Sequence, residues 1–172
     1  LTIKMSNNNT VFIILGSNIN PSQNFHKGLS LIHQQFNVLD QSPIIKTTAI
    51  GANINHKLFY NAAVKIKTNQ TASQLKYQYL RPIEKQLNRI RTSNPNSDRT
   101  FDADVVLYNN DFQPDNDPPI PDPNLFNYPF ISYLLSLMSP SYIIPNDGRT
   151  MQQLSGDLHE SPINYEHIST SN

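Results

Sequence analysis

An uninterrupted apolar run, Val11-Phe12-Ile13-Ile14-Leu15, stops at Gly16-Ser17-Asn18. Five consecutive apolar residues closed by turn formers predict a buried strand. Pro21 and Ser22 then open a stretch in which Phe25, Leu29 and Ile32 recur at i, i+4 and i+7, the apolar face of a helix. From Val38 to Ile50 β-branched residues dominate, which predicts a second strand broken or bulged at Pro43. Beyond a polar loop, Gly51 to Lys57, a third strand is expected over Phe59 to Lys67, with Ala63 and Ile66 among its apolar positions. Leu75, Tyr79, Ile83, Leu87 and Ile90 repeat every three or four residues and predict a helix between Thr71 and Ile90. Pro82 should kink or restart it, because proline lacks the backbone donor and crowds the preceding turn. A fourth strand is expected over Phe101 to Tyr108, with Asn109-Asn110 turning the chain into a hairpin strand. Asp111 to Asn124 is dense in proline and aspartate and reads as irregular, and Phe130 to Met138 as a short apolar helix.

This order of strands and helices points to an α+β fold built on a split β-α-β unit. The expected architecture is ferredoxin-like: a mainly antiparallel sheet of four to six strands with helices packed on its faces. One domain over residues 10–156 accounts for the patterned part of the chain. Residues 1–9, rich in asparagine and without an apolar segment, read as a flexible tail and not a signal peptide. Residues 157–172 lack periodicity and read as a second flexible tail. There is no cysteine, so a disulfide framework, a thiolate metal site and a thiol nucleophile are excluded, in keeping with a cytoplasmic protein. Lysine plus arginine and aspartate plus glutamate both number 13, so no general field draws nucleic acid or an anionic membrane. No apolar run approaches the roughly 20 residues of a spanning helix. No nucleic-acid or membrane partner is therefore expected, and a monomer is the expected state.

Chemistry concentrates in Arg89-Ile90-Arg91 and in Arg99-Thr100-Phe101-Asp102-Ala103-Asp104. Strand side chains alternate, so Asp102 and Asp104 share one face with Cα atoms about 6.6 Å apart, two residue rises. Two carboxylates so placed can hold hard cations that keep water and take phosphate oxygens as further ligands. Flanking guanidinium groups add the other requirement of phosphoryl transfer. The alternative is a solvated strand face with ordinary loop arginines, but aspartate is depleted in strands and two in one short strand call for a reason. The five histidines include no metal-ligand pair: His26 and His33 lie seven residues apart on a helix, about 10 Å along its axis. Ser17 has no triad partner, which leaves hydrolase chemistry unsupported.

Four separated segments resemble, in order and spacing, the 6-hydroxymethyl-7,8-dihydropterin pyrophosphokinases of folate biosynthesis. They are Leu15-Gly16-Ser17-Asn18, Phe59-Tyr60-Asn61-Ala62-Ala63-Val64, Ile83-Glu84 with Arg89-Ile90-Arg91, and Arg99 through Tyr108. The resemblance implies an ATP-dependent diphosphotransferase that moves pyrophosphate to the hydroxymethyl group of the reduced pterin and leaves AMP. It implies ATP as co-substrate and two Mg²⁺ ions on Asp102 and Asp104. Arg89 and Arg99 would stabilise charge on the triphosphate, and Arg91 and Glu84 would belong to the nucleotide side. The pterin would be sandwiched by Phe59 and Phe130 and hydrogen-bonded at its edge by Asn61, with Thr47, Ile50 and Gly51 completing the contacts.

The same resemblance exposes departures. Asp117 and Pro119 stand where the family has a basic and a hydroxyl residue, and Asp122 follows Pro121 where it has histidine. Tyr128 replaces an arginine, Ser97 a glycine or alanine and Ala103 a larger aliphatic. Each lost charge-assisted hydrogen bond is worth roughly 1.5–3 kcal/mol. An active enzyme with weakened ATP binding is the first expectation. A catalytically degenerate homologue retaining only pterin or nucleotide binding is the second. An unrelated ferredoxin-like interaction domain has only the general fold pattern behind it.

Overall fold

A computed structural model describes residues 9–48, 57–95, 97–159 and 164–169. Its elements are β1 (Asn9–Ser17), α1 (Pro21–Gln35), β2 (Asn37–Gln41), β3 (Ile44–Thr48) and β4 (Leu58–Thr68). They continue with α2 (Ala72–Gln74), α3 (Arg81–Gln86), β5 (Asp102–Tyr108), α4 (Asn124–Asn127), α5 (Pro129–Met138), α6 (Met151–Leu158) and β6 (His167–Ile168). All strand pairs are antiparallel, in the order β5-β1-β4-β3-β6, with β2 also on β4. The fold is thus the expected ferredoxin-like α+β sheet. Among the described residues no helix is long and apolar enough to cross a membrane.

The apolar run of β1, between β5 and β4, is buried because both of its faces are covered. Val11, Ile13 and Leu15 join Phe25, Leu29 and Ile32 of α1 and Ile83 of α3 in one buried cluster. Phe12 and Ile14 join Ile131, Leu134 and Leu135 of α5 and Met151 and Leu154 of α6 in the other. The break expected at Pro43 separates β2 from β3, both of which pair with β4. Ser42 bridges it: its N–H donates to the Ala63 carbonyl and its hydroxyl accepts from the Ala63 N–H.

Three expectations are corrected. The helical stretch from Ala72 to Gln86 is π-helical between Leu75 and Leu80, and the Arg81 N–H reaches back five residues to Lys76. This wider turn admits Pro82 at the start of α3, since the proline ring would crowd the carbonyl of a regular helix. The helix stops at Gln86, where Asn88 turns left-handed at φ 60°, so Ile90 lies off the apolar face and is 75 % exposed. After Asn109, also left-handed, no hairpin strand returns along β5; only an isolated bridge joins Gln113 to Ile120. Pro114, Pro118 and Pro119 cannot donate to a ladder. Finally, the boundary expected at residue 156 falls inside α6, and His167–Ile168 extends the sheet at β3. A capping box of Thr150 and Gln153 opens α6.

Phe101 shows how tightly the helical layer fits. It is fully buried, 6.2 Å from the Phe25 ring, directly beneath Gly28 of α1. A Cβ on Gly28 would lie 2.3 Å from the Phe101 ring. Gly28→Ala should therefore destabilise the chain despite the better helix propensity of alanine. We expect a loss of about 1–3 kcal/mol from overpacking and a melting temperature lower by several degrees, measurable by differential scanning calorimetry.

Candidate active site

Strand alternation and register collect the chemical side chains on one end of the α5–α6 face. Phe12, Ile14, Ile45 and Ala63 pack there. The same alternation puts Gly16, Thr47, Phe59, Asn61, Asp102 and Asp104 on that face. Gly16 is the register partner of both Asn61 and Asp102, so the amide and the carboxylate flank a glycine about 9.6 Å apart, two strand spacings. A Cβ at Gly16 would stand 3.0 Å from Asn61 Oδ1, so the glycine keeps this floor open.

On the β5 side the expected charged residues meet. Arg99 Nη1 donates to Asp102 Oδ2 at 2.5 Å, and Arg89 Nη2 lies 4.0 Å from Asp102 Oδ1. Glu84 is 1 % exposed. It accepts the Ala103 N–H at 3.0 Å and pairs with Arg91. It therefore braces β5 and holds Arg91 with both oxygens engaged. Burial, then the Asp102 charge, pushes Glu84 up to about 7. Burial, followed by Asp102, Asp122 and Glu84, pushes Asp104 up to about 8. The Arg89 side chain is 7 % exposed and its Nε has no partner. Burial first, and the like charges of Arg99 and Arg91, lower the Arg89 pKa.

The loop before β5 is tied down by polar groups, which a search for apolar anchors misses. Asn18 donates its N–H to the Arg99 carbonyl at 3.0 Å and accepts the Arg99 N–H on Oδ1 at 2.7 Å. Its Nδ2 donates to Asp98 at 2.8 Å, and Asp98 also pairs with Lys57. Ser17 Oγ donates to the Thr100 carbonyl at 2.6 Å. The Gly16-Ser17-Asn18 turn visible in the sequence was the available signal. Arg99 also donates Nη2 to the Pro95 carbonyl at 2.7 Å, and its guanidinium lies 5.9 Å from the centre of the Phe59 ring.

On the β3–β4 side, Asn61 is buried and donates Nδ2 to Thr47 Oγ1 at 2.6 Å. Phe59 is partly buried, and Phe130 packs at the edge of the second core cluster, 6.2 Å from the Tyr128 ring. Ile50 and Gly51 lie outside the described residues. The two acidic departures from the expected pattern fare differently. Asp117 pairs with Lys76 and accepts from the Tyr77 hydroxyl, so its charge is neutralised locally. Asp122 accepts the Asn124 N–H at 2.9 Å, and burial raises its pKa, with the Asp102 charge adding to the rise.

Comparison with known proteins gives the family. The 7,8-dihydro-6-hydroxymethylpterin-pyrophosphokinase family (HPPK) matches residues 12–140. The 2-amino-4-hydroxy-6-hydroxymethyldihydropteridine pyrophosphokinase of Haemophilus influenzae is 29 % identical over 140 residues, 80 % of this chain and 86 % of that protein. The protein of the same name from Bacillus subtilis is 30 % identical over 127 residues, 72 % of this chain and 74 % of that one. Among solved structures, Plasmodium falciparum HPPK-DHPS with pterin and p-hydroxybenzoate superposes with a TM-score of 0.62 at 14 % identity, over 87 % of this chain. This chain spans 43 % of that larger one, and at such identity the likeness speaks for the fold. With the family pattern running from β1 through α5, across every strand that floors the site, the chain belongs to the 7,8-dihydro-6-hydroxymethylpterin-pyrophosphokinase family.

Proposed function

We propose that this chain transfers pyrophosphate from ATP to 6-hydroxymethyl-7,8-dihydropterin in folate biosynthesis. The pterin hydroxyl oxygen bonds to the β-phosphorus, the bond from that phosphorus to the α–β bridging oxygen breaks, AMP leaves with that oxygen, and the hydroxyl proton is released. The observation that carries this reading is the shared sheet face. Asn61 and Thr47 lie on one side of Gly16, Asp102 and Asp104 on the other, with Arg99 reaching from the loop above.

Asn61 and Thr47 take the pterin edge, with Phe59 and Phe130 against its faces. Arg89, Arg91 and Arg99 serve the triphosphate. Arg99 exchanges Asp102 for phosphate oxygens, and Glu84 holds Arg91 in place. The carboxylates fit a cation. Burial and the charges of Asp102, Asp122 and Glu84 push the Asp104 carboxyl up to about 8, so further negative charge there is costly, and a divalent ion would relieve it. Among the described residues no group of three or more His, Cys, Asp or Glu could enclose a metal. That suits Mg²⁺, which is commonly held by one or two carboxylates together with phosphates and water. Asp102 and Asp104 would hold two such ions, which when bound neutralise charge on the phosphate oxygens. Balanced charge and the absence of cysteine support a cytoplasmic setting, and we place the chain there as a monomer.

The second reading, a degenerate homologue that binds pterin or nucleotide without turnover, is favoured by one observation. Asp122 adds a carboxylate beside Asp102 and Asp104 where a phosphate must sit. Incubating the chain with ATP, Mg²⁺ and the reduced pterin alcohol separates the two. The first reading predicts AMP and pterin diphosphate; ADP alone, or no product, contradicts it.

Two predictions follow from the charge distribution. Asp104→Asn should lower turnover by about 100-fold or more while melting no earlier than the unaltered chain, because the substitution removes like-charge repulsion. AMP release and a thermal melt measured on one preparation check both halves. The pair Asp122→His with Tyr128→Arg should tighten binding of a non-hydrolysable ATP analogue by about tenfold or more, with a gain that shrinks at high salt. Calorimetry at two ionic strengths reads it, and an unchanged affinity would remove Asp122 from the phosphate site.

A further inference from the structure

The family match ends at residue 140, yet the chain beyond it makes specific contacts on both sides of the pterin site. The segment 164–169 lies along the outer edge of β3. Ile168 and His167 pair with Ile44 and Ile45, and the Lys46 N–H donates to the Glu166 carbonyl at 2.9 Å. Lys46 also pairs with the Glu166 carboxylate at 2.5 Å. Lys46 is the residue next to Thr47, the partner of Asn61.

The same few residues reach the helical layer. The Tyr165 ring lies 4.9 Å from Tyr133 of α5. His167 Nε2 lies 3.3 Å from the Tyr133 hydroxyl, and the Tyr165 hydroxyl lies 3.3 Å from His159 at the end of α6. Tyr133 stands three residues after Phe130, a neighbouring position on the helix surface. Tyr165 packs with the cluster under α5 and α6, whereas Ile168 packs with the cluster on the opposite face. The segment therefore straddles the sheet edge. It connects the strand that carries Thr47 to the helix that carries Phe130.

We propose that residues 164–169 are a positioning strap that sets the separation of β3 and α5, and with it the width of the pterin site. The inference rests on the proposed function for the identity of the ligand. None of these residues touches the pterin; they act through Thr47 and Phe130. The phosphate side, built on β5 and the loop before it, stands on the far side of β1 and β4 and does not depend on the strap.

The test is calorimetry on the full chain, with 6-hydroxymethylpterin titrated in the presence of Mg²⁺ and a non-hydrolysable ATP analogue, and the analogue titrated alone. Tyr165→Ala combined with Ile168→Asp should weaken pterin binding by about tenfold and change analogue binding by less than about twofold. Glu166→Lys should weaken the pterin alone, and Lys46→Glu added to it should restore the affinity. If Ile168→Asp does not fold, Tyr165→Ala and the charge reversal carry the test by themselves. Equal weakening for both ligands, or weakening for neither, overturns the strap. An unaltered chain that binds the analogue but no pterin overturns the proposed function, and the strap with it.

Discussion

Too many acids share the end of one sheet face. Asp104 feels Asp102, Asp122 and Glu84 across a partly buried space. The surrounding structure consists largely of responses to that charge. Arg99 folds onto Asp102, Arg89 approaches it from the other side, and Arg91 is held by Glu84. Even so, Asp104 stays raised to about 8 and Glu84 to about 7. Gathering carboxylates where the solvent is half excluded is costly, because an unpaired buried charge costs several kcal/mol. Under the proposed function, positive charge that arrives with the substrate would offset this surplus.

Close approaches make room for that arrangement. Gly16 leaves a gap between Asn61 and Asp102, and Gly28 lets Phe101 lie against α1. Phe101 immediately precedes Asp102, so packing on the α1 face fixes the start of the strand that carries the carboxylates on the other. Asn18 extends the same rigidity to Arg99 through main-chain and side-chain hydrogen bonds. Much of what orients the charged groups is thus backbone geometry laid down by β1, the most enclosed strand.

Those parts governed by pattern were legible in the sequence. The apolar run of β1, the i, i+4, i+7 face of α1 and the interruption at Pro43 lie where periodicity and proline chemistry put them. The family segments named Arg89, Arg99 and Asp102, which the structure brings together, because that chemistry is written in residue types. Long-range polar contacts were not legible: Asn18 meets Arg99 81 positions away. The π-helical turn depends on where the chain must arrive at Pro82, which no local pattern states. Helix α6 was missed although Thr150 and Gln153 formed a readable capping box, since the eight-residue helix is too short for periodicity to declare itself. β6, two residues long, owes its existence to the vacant edge of β3.

Under the proposed function, Arg99 and Asp102 stay paired only until nucleotide and metal arrive, on a floor shared with the pterin. A crystal structure with Mg²⁺, a non-hydrolysable ATP analogue and 6-hydroxymethylpterin tests it most directly. The expected structure has the 2.5 Å contact between Arg99 and Asp102 broken, with Arg99 on phosphate oxygens and metal at Asp102 and Asp104. The pterin should lie between Phe59 and Phe130 with its edge on Asn61. An intact Arg99–Asp102 pair beside a fully bound nucleotide, or a nucleotide seated away from β5, would contradict it.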